Sequence, residues 1–215
     1  MTGIKNQIVY IIEDDPAVRK LIESLLRSVD QPYFSFESGQ EFLDACDPEI
    51  SGCIVMDIRM PEIGGMALLR LVREKGVQIP IIIITGYADV QLVVRAFKAG
   101  VMDFIEKPFK TQDLLDCIHE ALRLDAVNRR GEETRREYRN MMAALTQRER
   151  SVMALILDGS TNKRIASELA ISRKTLDIHK ARVFEKMQVE NAAELAKRVL
   201  IARGVIPHDF SFLSD

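Results

Sequence analysis

The sequence predicts an α/β fold, a doubly wound five-stranded parallel sheet, followed by a small all-α domain with a helix-turn-helix. Three observations lead there. Four short apolar runs rich in β-branched residues, at 9–12, 53–56, 81–84 and 104–106, read as buried parallel strands. Helix-length amphipathic segments separate them, so five β/α units are expected in the first 123 residues. Beyond Leu145 the pattern becomes three or four short helices.

The elements follow in order. Val18, Leu21, Ile22, Leu25 and Leu26 form one apolar stripe on a first helix, and Ser38 with Glu41 makes a capping box for a second. The third helix begins near Gly64 and Gly65. Asp89 caps a fourth that carries Val90, Val93, Val94 and Phe97 to a stop at Gly100, and Thr111 caps a fifth carrying Leu114, Leu115 and Ile118. From 124 to 144 the chain is dense in both charges and poor in apolar residues, which reads as a solvated linker, flexible or helical, with Gly131 weakening any helix. Thr146 and Glu149 form a capping box for a helix with an apolar face of Val152, Leu155 and Ile156 that stops at Gly159. Asn162 opens the next, carrying Ile165, Ala166 and Leu169. Ile171 and Ser172 turn the chain, and Ser172 caps a further helix to about Met187 with Leu176, Val183 and Met187 facing inward.

Each strand-like run ends in a chemically loaded residue: Glu13, Asp14 and Asp15 after the first, Asp57 after the second, Thr85 after the third and Lys107 after the fourth. Ligands in open α/β sheets collect outside the carboxyl ends of the strands, so acids, a hydroxyl and an ammonium converge on one crevice. Clustered carboxylates repel one another unless a cation sits among them, and Mg²⁺ accepts carboxylate and carbonyl oxygens while keeping several waters. An Asp in such a cluster is a nucleophile toward phosphorus, and phosphoryl transfer then depends on positioning and charge neutralisation. Lys107 and Thr85 supply contacts to phosphate oxygens.

The chain of 215 residues has sequence enough for two modest cores, and its formal charge of −2 hides an asymmetry. Residues 1–125 hold 13 Lys and Arg against 20 Asp and Glu, a net −7, while the remainder hold 17 against 12, a net +5. An acidic half joined to a basic half predicts that only the second meets nucleic acid. The first seven residues lack a signal-peptide pattern, and every apolar run falls far short of the ~20 residues that a spanning helix needs. No membrane partner is expected. Cys46, Cys53 and Cys117 form no CxxC and read as reduced thiols of a cytoplasmic protein.

Acid pair, Asp, Thr and Lys-Pro occur in order at suitable spacing, and residues 5–123 on this basis resemble the receiver domain of two-component response regulators, a flavodoxin-like fold. The resemblance implies that Asp57 is the phosphoacceptor, that Glu13, Asp14 and Asp57 hold Mg²⁺ together with the Arg59 backbone carbonyl, and that Thr85 and Lys107 serve the phosphoryl group. Asp15 is left as a nearby acid without a ligand role. Phe104 matches the family's rotating switch aromatic, with a plain core aromatic as the competing reading. Arg59 and Tyr87, two residues after Asp57 and Thr85, flank the path of the hydrolytic water in that family.

Residues 145–207 resemble the LuxR-type domain of NarL/FixJ regulators in three strings: 145–150, 162–166 and 171–179. By position Asp177, Ile178 and Ala181 approach base edges, and Lys163, Lys174, Thr175, His179, Lys180, Arg182 and Lys186 are candidates for phosphates or flanking contacts. His119 and His208 carry no motif. The resemblance implies a DNA-binding transcriptional regulator, not an enzyme beyond intrinsic autophosphorylation and autodephosphorylation. A sensor histidine kinase phosphorylates Asp57, Thr85 is drawn to the new oxygens and Phe104 turns inward. Homodimers then bind a double-stranded operator, with RNA polymerase as a further partner. Two other readings compete. A phosphatase of the haloacid dehalogenase type needs a second Asp two residues after its nucleophile, where this chain has Arg59. A phosphate-independent DNA-binding protein needs a degenerate receiver, against which the intact acid, Thr and Lys set argues.

Overall fold

The computed structural model describes residues 7–86 and 89–206. The expected domain limits at Lys5 and at Pro207, together with Tyr87 and His208, lie outside the described residues. The chain divides into two compact units, 1–128 and 129–215.

Five parallel strands build the first unit: β1 (Ile8–Ile12), β2 (Tyr33–Phe36), β3 (Gly52–Asp57), β4 (Ile81–Thr85) and β5 (Asp103–Glu106). Their spatial order is β2-β1-β3-β4-β5. β2 has no continuous apolar run because it lies at the sheet edge, where its residues are half-buried or exposed. β3 and β4 are buried at every position, which is why they stand out as unbroken apolar runs. The chain winds outward from β1 to β2 and then crosses to β3, so the direction reverses between β1 and β3. The carboxyl ends of those two strands form the crevice of the sheet.

Helices α1 (Pro16–Ser28), α2 (Gly39–Ala45), α3 (Gly65–Glu74), α4 (Val90–Lys98) and the start of α5 (Thr111–Ala144) connect and follow the strands. Alternate strand residues feed two cores: Ile12, Ile54, Met56 and Ile83 pack with Leu68, Leu69 and Val72, while Val9, Ile11, Val55, Ile82 and Ile84 pack with Ile22, Leu26, Leu114 and Ile118. Each such aliphatic side chain contributes about 1.5–3 kcal/mol by leaving water. Asp15 proves to be the cap of α1, accepting from the Ala17 and Val18 N–H groups ahead of Pro16. Ser38 accepts from the Glu41 N–H as expected, but the Glu41 carboxylate reaches Glu37 N–H, one residue beyond a capping box. α5 starts at Thr111 itself, so Thr111 is not its cap.

In the second unit, Tyr138, Met141 and Met142 at the end of α5 pack on the core of α6 (Gln147–Leu157), α7 (Asn162–Glu168), α8 (Arg173–Lys186) and α9 (Ala192–Ala202). Asn162 opens α7 as expected, and Thr161 caps it, accepting from the Arg164 N–H. Ser172 caps α8, and Leu176, Val183 and Met187 are fully buried. α9, capped by Asn191, is the fourth helix that the apolar spacing of Leu195, Val199 and Ala202 encodes. Residues 124–144 all lie within α5. The charges that made the segment look like a linker pair along the helix instead: Glu132 meets Arg135 at 3.6 Å and Arg139 at 2.7 Å.

Two glycines separate free space from close approach. A Cβ on Gly131 meets nothing within 4 Å, whereas on Gly65 it lies 2.6 Å from Ile58 Cα and 2.8 Å from the Asp57 carbonyl oxygen. Gly131→Ala therefore raises stability by about 0.5–1 kcal/mol through helix propensity. Gly65→Ala lowers it by about 1–3 kcal/mol through overpacking directly beneath Asp57. Urea unfolding of the two variants beside the parent chain checks both signs.

Candidate functional site

The ends of β1, β3, β4 and β5 bring the predicted residues together. Glu13 follows β1 and is fully buried; Asp57 ends β3 at 7 % exposure; Thr85 ends β4 and is fully buried. Asp57 pairs in register with Ile84, so Thr85 lies one step further along the neighbouring strand. Lys107 follows β5, and its N–H donates to the Thr85 carbonyl at 2.7 Å, which fixes where its side chain starts.

Lys107 Nζ lies 2.7 Å from Glu13 Oε2 and 2.7 Å from Asp57 Oδ2. The other Asp57 oxygen accepts from the Arg59 N–H at 2.9 Å. Burial raises the Glu13 pKa, against the opposing pull of Lys107. Burial alone would lower the pKa of Lys107, but its hydrogen bonds to Asp57 and Glu13 outweigh that and raise it. Carboxylate oxygens of Glu13, Asp14 and Asp57 all come within 4.8 Å of one another, with Asp14 exposed to solvent. An all-oxygen acidic set of this kind, with one open side and already needing an ammonium for balance, fits a hard divalent cation such as Mg²⁺.

Arg19 is a part of this site that no motif marks. Its guanidinium donates to the Glu13 carbonyl at 2.7 Å and to Glu37 Oε1 at 2.7 Å, bracing the loop that carries Glu13 and Asp14. Arg19 lies only six residues after Glu13, and what hides the contact is that it depends on where the long side chain turns. Phe104, on β5 beside Ile83, is half-buried and packs against the core of Ile83 and Leu68.

The second unit carries the other predicted surface. On α7 and α8, Lys163, Lys174, Asp177, Ile178, Ala181 and Arg182 are exposed, and Ile178 retains 47 % exposure. Thr175, His179, Lys180 and Lys186 are half-buried. The Thr175 hydroxyl lies 2.8 Å from that of Ser172, and Lys180 Nζ donates to Asn162 Oδ1 at 3.0 Å, so both tie α8 to the residues before it. His179 buries Nδ1 without a hydrogen-bond partner. Lys186, expected among the phosphate contacts, instead donates to Glu149 at 2.7 Å and to the Ala144 carbonyl at 3.0 Å. Glu149, at 2 % exposure, also accepts from the Thr146 N–H.

Comparisons with known proteins follow this division. Residues 9–119 match the model of the response regulator receiver domain, and residues 143–199 match that of the bacterial regulatory proteins of the luxR family. The chain is 39 % identical over 201 residues to the transcriptional regulatory protein FixJ of Azorhizobium caulinodans, covering 94 % of this chain and 95 % of that one. It is 37 % identical over 201 residues to the response regulator protein TodT of Pseudomonas putida, covering 91 % and 88 %. Among solved structures it is similar to response regulator StyR, with a TM-score of 0.83, 36 % identity and coverage of 90 % and 98 %. It is also similar to full-length FixJ from B. japonicum, with a TM-score of 0.58, 37 % identity and coverage of 93 % and 98 %.

The lysine pair in the second unit sets an acid limit. Hydrogen bonds from Lys186 and the Thr146 N–H hold the Glu149 carboxyl down at about 2 against its ordinary 4.5. A depressed carboxyl contributes stability that is complete above 4.5 and is lost as pH falls from there toward 2. Glu149→Gln should cost about 1–3 kcal/mol at neutral pH, since Lys186 loses its charged partner. The gap to the parent should close as pH falls through that window. Urea unfolding at a series of pH values measures it, and a gap that stays constant contradicts the assignment.

Proposed function

The chain belongs to the two-component response regulators of the NarL/FixJ family, DNA-binding transcriptional regulators with a receiver and a LuxR-type domain, and on that premise we propose that Asp57 is its phosphoacceptor. The observation that carries the proposal is the seat of Lys107, whose ammonium lies 2.7 Å from Asp57 and 2.7 Å from Glu13 across the ends of three strands. The receiver implies a histidine kinase as the donor and the LuxR-type domain implies DNA as the target.

In the proposed reaction an Asp57 carboxylate oxygen attacks the phosphorus of a phosphohistidine. The new P–O bond forms as the P–N bond breaks, and the imidazole nitrogen keeps the electron pair and takes up a proton. Glu13, Asp14, Asp57 and the Arg59 carbonyl would hold Mg²⁺, which neutralises and orients phosphoryl oxygens when bound. Lys107 releases Asp57 and follows the incoming negative charge, and the Thr85 hydroxyl donates to a phosphoryl oxygen. The same chemistry with a small phosphodonor gives autophosphorylation, and water attack on the acyl phosphate gives autodephosphorylation.

The consequence is a population shift between two packings. Movement of Thr85 toward phosphate vacates space beside β4, and Phe104, half-buried on β5, turns further in. That changes the face of α4, where Val90, Val94 and Phe97 stand 79 %, 46 % and 48 % exposed. Homodimers formed there set two α8 helices on half-sites about one helical turn apart, and the bound dimer meets RNA polymerase. Residues 5–123 act as receiver, 124–144 as helical connector and 145–207 as DNA-binding domain. The Cys residues are free, consistent with action in the cytoplasm. Among the described residues no helix is long and apolar enough to cross a membrane.

Acetyl phosphate with Mg²⁺ should add one phosphoryl group to the chain, and Asp57→Ala or a chelator should abolish it. Intact-mass spectrometry reads the result. A phosphorylated fraction in the Asp57→Ala protein equal to that of the parent refutes the assignment.

A further inference from the structure

The exposed face of α8 carries an acid where a DNA-reading helix meets a polyanion. Lys174, Asp177, Ile178 and Ala181 are spaced three and four residues apart, so they form one contiguous patch on the helix surface. All four are exposed, and Lys163 and Arg182 lie exposed outside the patch. Among the described residues Asp177 has neither a hydrogen bond nor an ion pair, although Arg173 stands one turn before it. A carboxylate with no internal partner on this face is repelled by phosphates. It gains only if it accepts a hydrogen bond from a base edge, and cytosine N4 is the major-groove donor that carboxylates read. Ile178 and Ala181 offer only methyl and methylene groups, whose base-edge counterpart is the C5 methyl of thymine.

Resting on the DNA-binding reading above, we infer that Asp177 accepts from a cytosine amino group and that Ile178 and Ala181 pack on thymine methyls, so that each half-site places C and T within about two base pairs. The spacing comes from the helix: Asp177 and Ala181 are four residues apart, about 6 Å along the axis, against about 3.4 Å per base pair. Lys174 and Arg182 border the apolar and acidic centre and hold the phosphate backbones on either side. Recognition is thereby divided, with the cations supplying affinity and three uncharged or acidic side chains supplying sequence preference.

Selection of full-length phosphorylated protein on a random-sequence DNA duplex library tests the inference, with the parent, Asp177→Asn and Lys174→Ala run side by side. The parent should enrich half-sites with an invariant C and a T within about two base pairs of it. Asp177→Asn should replace that C by A at the same position, since a carboxamide pairs with adenine N6 and N7. Lys174→Ala should keep the motif and lower the salt slope of binding by about one unit. On the selected duplex, exchanging T for deoxyuridine, which lacks only the methyl, should weaken the parent about 5-fold or more. The C-to-A mismatch should cost it about 5- to 150-fold. A motif identical in the parent and Asp177→Asn, with equal affinity for T and deoxyuridine duplexes, overturns the inference while leaving DNA binding intact. No enrichment by any of the three proteins would overturn the DNA-binding reading and the inference with it.

Discussion

Three carboxylates meet at the ends of β1 and β3, and the ammonium of Lys107 is the charge that lets Glu13 and Asp57 face one another across a buried crevice. Burial already raises the pKa of Glu13, and without Lys107 the neighbouring charge of Asp57 would add to that rise. The sheet delivers the three groups from strands that are adjacent in space and distant in sequence, and the hydrogen bond from Lys107 N–H to the Thr85 carbonyl keeps the fourth in step. Close packing beneath, where Gly65 meets Ile58 and Asp57, gives the cluster a rigid floor. In the proposed reaction the ammonium that balances this site is the charge that follows the entering phosphoryl group.

The second unit uses the same device for a different end. Lys186 is held between buried Glu149 and the last carbonyl of α5, which locks the end of α8 to the start of α6. Buried pairs of this kind contribute to geometry more surely than to stability. The geometry here is the orientation of α8, from which Lys174, Asp177, Ile178 and Ala181 project into solvent.

What the sequence made legible was the part written in short-range pattern. Unbroken apolar runs betrayed β1, β3 and β4 because both their faces are covered, while edge strand β2 carries no such run. Capping residues marked α4, α6 and α8, and Asn162 marked the first residue of α7, one place after its cap Thr161. Of the two readings open for 124–144, flexible or helical, the helix is the one found; the sequence left both open because its support is charge pairing and the packing of its last turns, neither of which leaves a wide apolar stripe. At the site, order and spacing gave Glu13, Asp14, Asp15, Asp57, Thr85 and Lys107 as a set, from which the family resemblance set Asp15 apart. The Asp15 cap, the Arg19 brace and the Lys186 partnership with Glu149 depend on where long side chains turn, which only the three-dimensional structure resolves.

In the proposed switch Lys107 balances the acid cluster at rest and transfers to the phosphoryl group on Asp57. A crystal structure of the full chain with Mg²⁺ and beryllium fluoride, a stable mimic of the phosphoryl group, tests it most directly. Beryllium is expected bonded to an Asp57 oxygen, the cation on Glu13, Asp14 and Asp57, and Lys107 Nζ moved from Asp57 onto a fluorine. Beryllium bound to another carboxylate, or Lys107 still bridging Glu13 and Asp57 with the fluoride group in place, would contradict it.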